Sequence, residues 1–319
     1  MARPMRRLLV AIRDVHHVPR SVLRKTGEIA RRSGARVEFF HALTESPAIL
    51  AAWRGYLSDD LQRSKDEYAQ AVRLELERLQ RTAFLRDLPV SAEAVWDYPP
   101  HEAIVRRSRA IRADLVIAFT PARSAKDRLY LANTDWELIR HCPQPVLLVK
   151  SSRAYDRPVV LAAVDPFHAR AKPSHLDSRI LDAAAGLARL LRGELHAFHA
   201  SAAPEQEAAR IREPFDRLCA SARISPSRRH LAFGDVATRL DETVRRLGAG
   251  IVVMGAVSRS GPDRPFIGGT AELVLDRLSC DALVVKPRGF RPPPHTFEER
   301  PIRPPRRLAV FPGGGGSHS

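Results

Sequence analysis

Residues 251–269 read IVVMGAVSRSGPDRPFIGG and continue into Thr270, Ala271 and Glu272. An apolar run from Ile251 to Met254 gives way to a loop of glycine, serine and arginine, then to a glycine pair ahead of a helical pattern. This is the order strand, loop, helix. A short apolar run bounded by turn residues is the signature of a strand covered on both faces. Glycines let the backbone approach a ligand closely. A helix start offers unpaired N–H groups and the positive end of its dipole, so the stretch suits a phosphate.

The same stretch has a degenerate counterpart 136 residues earlier. Phe119 to Lys150 and Gly255 to Lys286 each span 31 positions, and the offset lays Arg123-Ser124 on Arg259-Ser260 and Asn133-Thr134 on Gly269-Thr270. The runs PVLLVK (145–150) and DALVVK (281–286) coincide as well. Such self-similarity marks a duplicated domain.

Outward from this pair, each half alternates short apolar runs with amphipathic segments. In the first, RLLVAI (7–12), VEFFH (37–41), 89–96, DLVIAF (114–119) and 145–150 read as strands. Helices are predicted over 21–33, ended by Gly34, over 59–82, over 101–111 and over 135–141. In the long one Tyr68, Val72, Leu76 and Leu79 fall at helical spacing. The second half repeats the order. Strands fall at 158–164, 194–199, 229–233, 251–254 and 282–286, and helices at 176–191, 205–222 (interrupted at Pro214), 236–247 and 270–278. The implied fold is α/β, with two tandem doubly wound domains of five parallel strands each. The expected divisions are 1–152, 153–290 and a disordered Pro/Arg/Gly-rich tail at 291–319.

Composition bounds the function. The 319 residues carry a net charge of +16, of which the tail supplies only five Arg against two Glu. Such a charge attracts polyanions non-specifically, but no nucleic-acid motif accompanies it, so that partner is not expected. Three cysteines without a CxxC pair fit a reducing compartment and give no structural zinc site. The basic start with its short apolar run reads as a first strand, not a signal peptide. No apolar run approaches the ~20 residues that cross a bilayer. The expectation is a cytoplasmic protein without a membrane partner.

Taken together, these features resemble the universal stress protein family, over residues 5–288. The family loop has glycine, two residues, glycine, nine residues, glycine and a small hydroxyl or amide residue. Here two residues separate Gly255 from Ser258, which stands in place of the second glycine, and nine separate Ser258 from Gly268, which Gly269 and Thr270 follow. Thr134-Asp135-Trp136, Arg140 to Pro143 and AGIVVM (249–254) are similar to a tandem two-domain subgroup. The resemblance implies an adenine-nucleotide alpha-hydrolase-like fold and an ATP or other adenine-nucleotide site in the second half. Asp165, after Val164 at the end of the first strand, would lie near the nucleotide. Ala200 would contact adenine. Met254, Gly255, Ser258, Arg259, Gly268, Gly269 and Thr270 would surround phosphates and ribose. In the first half the three loop glycines are replaced by Phe119, Ala122 and Ala132, and Arg13 stands where the second half has Asp165. No nucleotide is expected there.

Other constellations carry less. His196 and His199, three apart on a strand, face opposite ways and share no metal, and the adjacent His16 and His17 give no ligand geometry. Asp165 and His168 lack an accompanying nucleophile. Trp136 reads as an interdomain or core anchor, and Cys219 and Cys280 as buried thiols. Neither GxxxxGK[ST] nor a strand-linked GxSxG is present, so no catalytic residue is expected, although a slow ATPase activity stays open. The resulting expectation is a non-enzymatic stress-response protein with ATP as its only candidate cofactor. Pairing of its two domains is expected, and a homodimer is compatible with it. The alternative is a scaffold holding an apolar or lipid-like metabolite between its domains.

Overall fold

The computed structural model describes residues 5–44, 58–120, 132–167, 175–256 and 269–290. The first half runs β1 (Arg7–Ala11), α1 (Arg20–Ser33), β2 (Arg36–Leu43), α2 (Ser58–Arg78), β3 (Val90–Trp96), α3 (Pro100–Ala110), β4 (Leu115–Phe119), α4 (Ala132–His141) and β5 (Val146–Val149). The second runs β6 (Val159–Ala163), α5 (Leu176–Leu191), β7 (Glu194–Ser201), α6 (Ala208–Ser221), β8 (Arg229–Phe233), α7 (Val236–Leu247), β9 (Ile251–Gly255), α8 (Gly269–Arg277) and β10 (Asp281–Val285).

The ten strands form one sheet in the order β3-β2-β1-β4-β5-β10-β9-β6-β7-β8. Every pairing is parallel except β5 with β10, which is antiparallel and sets Leu147 against Leu283. Each half therefore has the order 3-2-1-4-5, and the halves meet through their fifth strands. Period-two alternation divides the apolar residues between two faces. Leu8, Val10, Ile117, Leu147 and Leu283 enter one core, and Leu9, Val116, Leu148 and Val284 the other. Both cores run through both halves.

Local chemistry explains the element ends. Gly34 closes α1 in the left-handed region at φ 69°, where glycine meets no Cβ penalty. Asp235 caps α7 by accepting the Thr238 N–H at 2.9 Å. The long predicted helix ends at Arg78, and Leu79–Arg81 form a 3-10 turn. Val72 and Leu76 are buried as their spacing implies, whereas Tyr68 is 54% exposed and lies against Trp96, with ring centres 5.9 Å apart. Pro214 does not interrupt α6, which follows a short 3-10 turn at 205–207 and runs through the proline. Burial of Ile211, Phe215 and Cys219 along one face offsets the lost N–H.

A buried ionic cluster ties the halves together. Asp281, at the start of β10, accepts from Lys25 Nζ on α1 and from Tyr155 OH, each at 2.5 Å. Its other oxygen accepts the backbone N–H groups of Lys150 and Ser151, both at 2.9 Å. Burial draws Lys25 below the ordinary amine range, with Asp281 opposing the shift, and pushes Tyr155 well above the ordinary phenol range. Among the described residues no helix is long and apolar enough to cross a membrane.

Candidate functional site

In doubly wound sheets ligands sit beyond the carboxyl ends of the strands, where the strand order reverses. That switch point falls between β1 and β4 in the first half and between β6 and β9 in the second.

In the second half, Val164 and Met254 are buried, with Asp165 and Gly255 half-buried at the rim. The Asp165 N–H donates to Asp177 Oδ1 at 3.0 Å, which pins the end of β6 to the first turn of α5. Asp165 Oδ1 lies 4.0 Å from His199 Nδ1, and that nitrogen is 3.0 Å from the Val164 carbonyl oxygen. The buried His199 ring packs between Phe167 and Phe215, with centres 5.5 and 6.0 Å away. Ala200 follows it on β7, half-buried. Gly255 has a packing reason to be glycine. A Cβ there would lie 2.7 Å from Leu176 Cδ2, at the start of α5. Gly269 and Thr270 open α8. Ser258, Arg259, Gly268 and His168 lie outside the described residues.

The first half carries the same frame with different contents. His41 Nδ1 is 2.8 Å from the Ile12 carbonyl oxygen, the counterpart of the His199–Val164 contact. At the Asp165 position, however, Arg13 reaches across the strand ends to Asp135 Oδ1 at 2.6 Å. Asp135 is only 5% exposed, and its second oxygen accepts from Thr120 Oγ1 at 3.0 Å. Phe119 caps β4 and packs on the core. The cavity left among Arg13, His41, Phe119 and Asp135 is about 120 Å³. Ligand pockets are commonly about 300–1,000 Å³. Ala122 lies outside the described residues, and Ala132 begins α4.

Sequence reasoning missed the Arg13–Asp135–Thr120 arrangement and the two equivalent histidines. His41 and His199 each stand near the end of a second strand, so extending the repeat backwards would have found them. Trp136 is half-buried against the core, and it lines a small cavity with Leu275 and Leu278 where α4 meets α8. Arg140 on α4 bridges to Glu272 on α8 at 2.9 Å. All three cysteines are free and buried, and burial pushes each thiol up to about 12. His196 and His199 do face opposite ways. His196 stacks on His230, with ring centres 5.2 Å apart and planes 4° apart.

A larger groove lies between the halves, at the amino ends of β1, β4 and β5 and beside the carboxyl end of the antiparallel β10, with a volume of about 1,000 Å³. Leu115, Leu147, Leu187 and Leu283 contribute apolar surface, and Arg179 and Arg288 stand at its border. Burial and the neighbouring Arg288 charge both draw Arg179 below the ordinary guanidinium range.

Two copies of a doubly wound five-stranded domain, joined through their fifth strands, define the class of protein. The sequence profile of the universal stress protein family matches residues 4–150 and again 158–286, and the chain belongs to that family, with its domain present twice. It is similar to Universal stress protein E of Salmonella typhi and of Escherichia coli strain K12. Each is 27% identical over 252 residues, covering 69% of this chain and 78% of the relative. A functionally unknown protein from Pseudomonas aeruginosa PAO1 superposes with a TM-score of 0.66 at 26% identity, covering 89% of this chain and 93% of its own. A universal stress protein from Archaeoglobus fulgidus shares the fold, with a TM-score of 0.60 at 18% identity, covering 88% of this chain and 98% of its own.

Proposed function

We propose that this protein is a non-enzymatic, cytoplasmic stress-response factor whose second half binds an adenine nucleotide. One observation carries the reading. Where the first half closes its switch point with Arg13 and Asp135, the second has a half-buried carboxylate, Asp165, and a glycine strand end. At the position matching Asp135 stands Ala271, which cannot form the ion pair. Asp165 and Ala200 would face the adenosine end, with Val164 and Met254 beneath it. Ser258, Arg259, Gly268, Gly269 and Thr270 would meet the phosphates, the arginine by charge and the helix start by its N–H groups. The nucleotide would act as an ordering ligand that stabilises the bound state and biases partner binding.

The test is calorimetric titration with ATP on wild type, Asp165→Ala and Gly268→Val. Saturable binding by wild type, weakened about tenfold or more by either substitution, is expected. A wild type silent at millimolar ATP would sink the proposal. In that event the groove between the halves favours the second reading, a scaffold for an apolar or lipid-like metabolite. Native mass spectrometry of the protein as purified from cells would show that ligand as added mass, lost on Leu187→Arg.

A further inference from the structure

His101 on the first turn of α3 and Glu137 and His141 on α4 converge outside both switch points. One ligand-competent atom from each side chain lies within 4.8 Å of those from the other two. Glu137 and His141 are four apart, so helical geometry puts them on one face. His141 Nε2 is 2.9 Å from Glu137 Oε2. The two imidazole centres are 5.7 Å apart. Metal–nitrogen bonds of about 2.0–2.1 Å at a tetrahedral angle put two imidazole centres roughly 5 Å apart, so a small closure would complete that geometry.

We propose that His101, Glu137 and His141 form a site for a divalent transition-metal ion of the zinc class, with a fourth position open to water. Two features favour a cation ligand over a packing cluster. Among the described residues His101 has no hydrogen-bond partner, and its half-buried ring stacks on that of His141. The second Glu137 oxygen is held by Arg140 at 2.6 Å, which fixes the carboxylate and leaves Oε2 facing the histidines. Such outer contacts orient metal ligands. All three side chains are half-buried, which leaves an ion a route in. Nitrogen-rich mixed donors of this kind suit zinc over magnesium or calcium, which prefer oxygen. Because the ligands come from two helices, the ion would staple α3 to α4.

The experiment uses the full chain stripped with chelator, without nucleotide, and titrated with Zn²⁺ or Co²⁺ alone. Wild type is expected to bind one Co²⁺ with the intense ligand-field absorption of a tetrahedral ion. Its melting midpoint should rise by on the order of 5 °C in Zn²⁺ at about a hundredfold over Kd. His101→Ala should weaken this binding about a hundredfold and leave the metal-free melting curve nearly unchanged, since that side chain holds no hydrogen bond to a described residue. Glu137→Gln should weaken it while keeping the side-chain shape. His230→Ala, which removes a histidine of the separate stacked pair, should leave it intact. A wild type that shows no tetrahedral Co²⁺ spectrum overturns the proposal. So does binding that survives His101→Ala, or that is lost in His230→Ala.

Discussion

The two switch points differ in what occupies the same frame. Both have a strand-two histidine held at a strand-one carbonyl, at 2.8 Å in the first half and 3.0 Å in the second. The first half fills the space before them with its own ions, Arg13 and Asp135, and caps β4 with Phe119. The second presents Asp165 and Gly255 there. A duplicated domain can thus keep its scaffold while its two copies fill the same frame with different side chains. The first copy also contacts the second. Its α4 reaches α8 through Arg140 and Glu272, beside the helix that opens at Gly269.

The largest effect expected on this arrangement comes from the tie between the halves. Asp281→Ala leaves the buried Lys25 charge with only the Ser151 carbonyl and strips acceptors from Tyr155, Lys150 and Ser151. Breaking one partner of a buried ion pair costs about 3–5 kcal/mol. Urea denaturation should show that loss. Stability within about 1 kcal/mol of wild type would mean that the halves do not depend on the cluster.

Next in size is a gain, and it comes from two lysines that the repeat makes equivalent. Lys150 Nζ bonds to the Leu275 carbonyl. Lys286 is 5% exposed, its amine lies over the Phe290 ring at 4.7 Å, and burial draws it down to about 8. The unfolded chain therefore binds more protons than the native one between about pH 8 and 10.5, so wild-type stability rises with pH across that window. Below about pH 8 the native state carries the full desolvation cost. Lys286→Met should stabilise by about 1–3 kcal/mol at about pH 7, with the gain shrinking towards about pH 10. Lys150→Met should show no such gain. Equal responses from the two substitutions would erase this difference between the halves.

Gly255→Ala tests the glycine itself. The added Cβ would meet Leu176, which is 3% exposed and has little room to withdraw. Overpacking of this kind costs about 1–3 kcal/mol. Leu176→Ala in the same chain should recover part of the loss in thermal unfolding. If the single substitution is neutral, the glycine is there for a ligand rather than for α5.

Much of this was legible in the sequence, for reasons that differ by feature. The strands were legible because runs such as LVIAF and IVVMG are buried on both faces and so carry no interruption. Val236–Leu247 was legible because Asp235 and Gly248 mark both of its ends. The course of α6 through Pro214 was not, because burial of the helix face that holds Phe215 overrode the local rule. Gly255 could be singled out from loop spacing, and Asp165 from the resemblance to the family. The Arg13–Asp135 contact could not, since its members are 122 residues apart and only the sheet order brings them together. The approach of His101 to His141 was invisible for the same reason. Glu137 and His141 at i, i+4 are the one local signal of it in the sequence.

The smallest predicted effect bears most directly on the comparison. The Arg13 side chain is 41% exposed and that of Asp135 is 8% exposed, so the pair lies half in solvent. Side-chain entropy and screening reduce such a pair towards the value of a surface ion pair, while the buried carboxylate raises it. Arg13→Ala should therefore cost about 1 kcal/mol, with Thr120 still donating to Asp135. The double-mutant cycle with Asp135→Ala isolates the contact, and a coupling of about 1 kcal/mol, smaller in high salt, is expected from chemical denaturation. Zero coupling would mean that the two residues sit together without holding the strand ends closed. Phe119 and the small cavity would then be left to account for the difference between the halves.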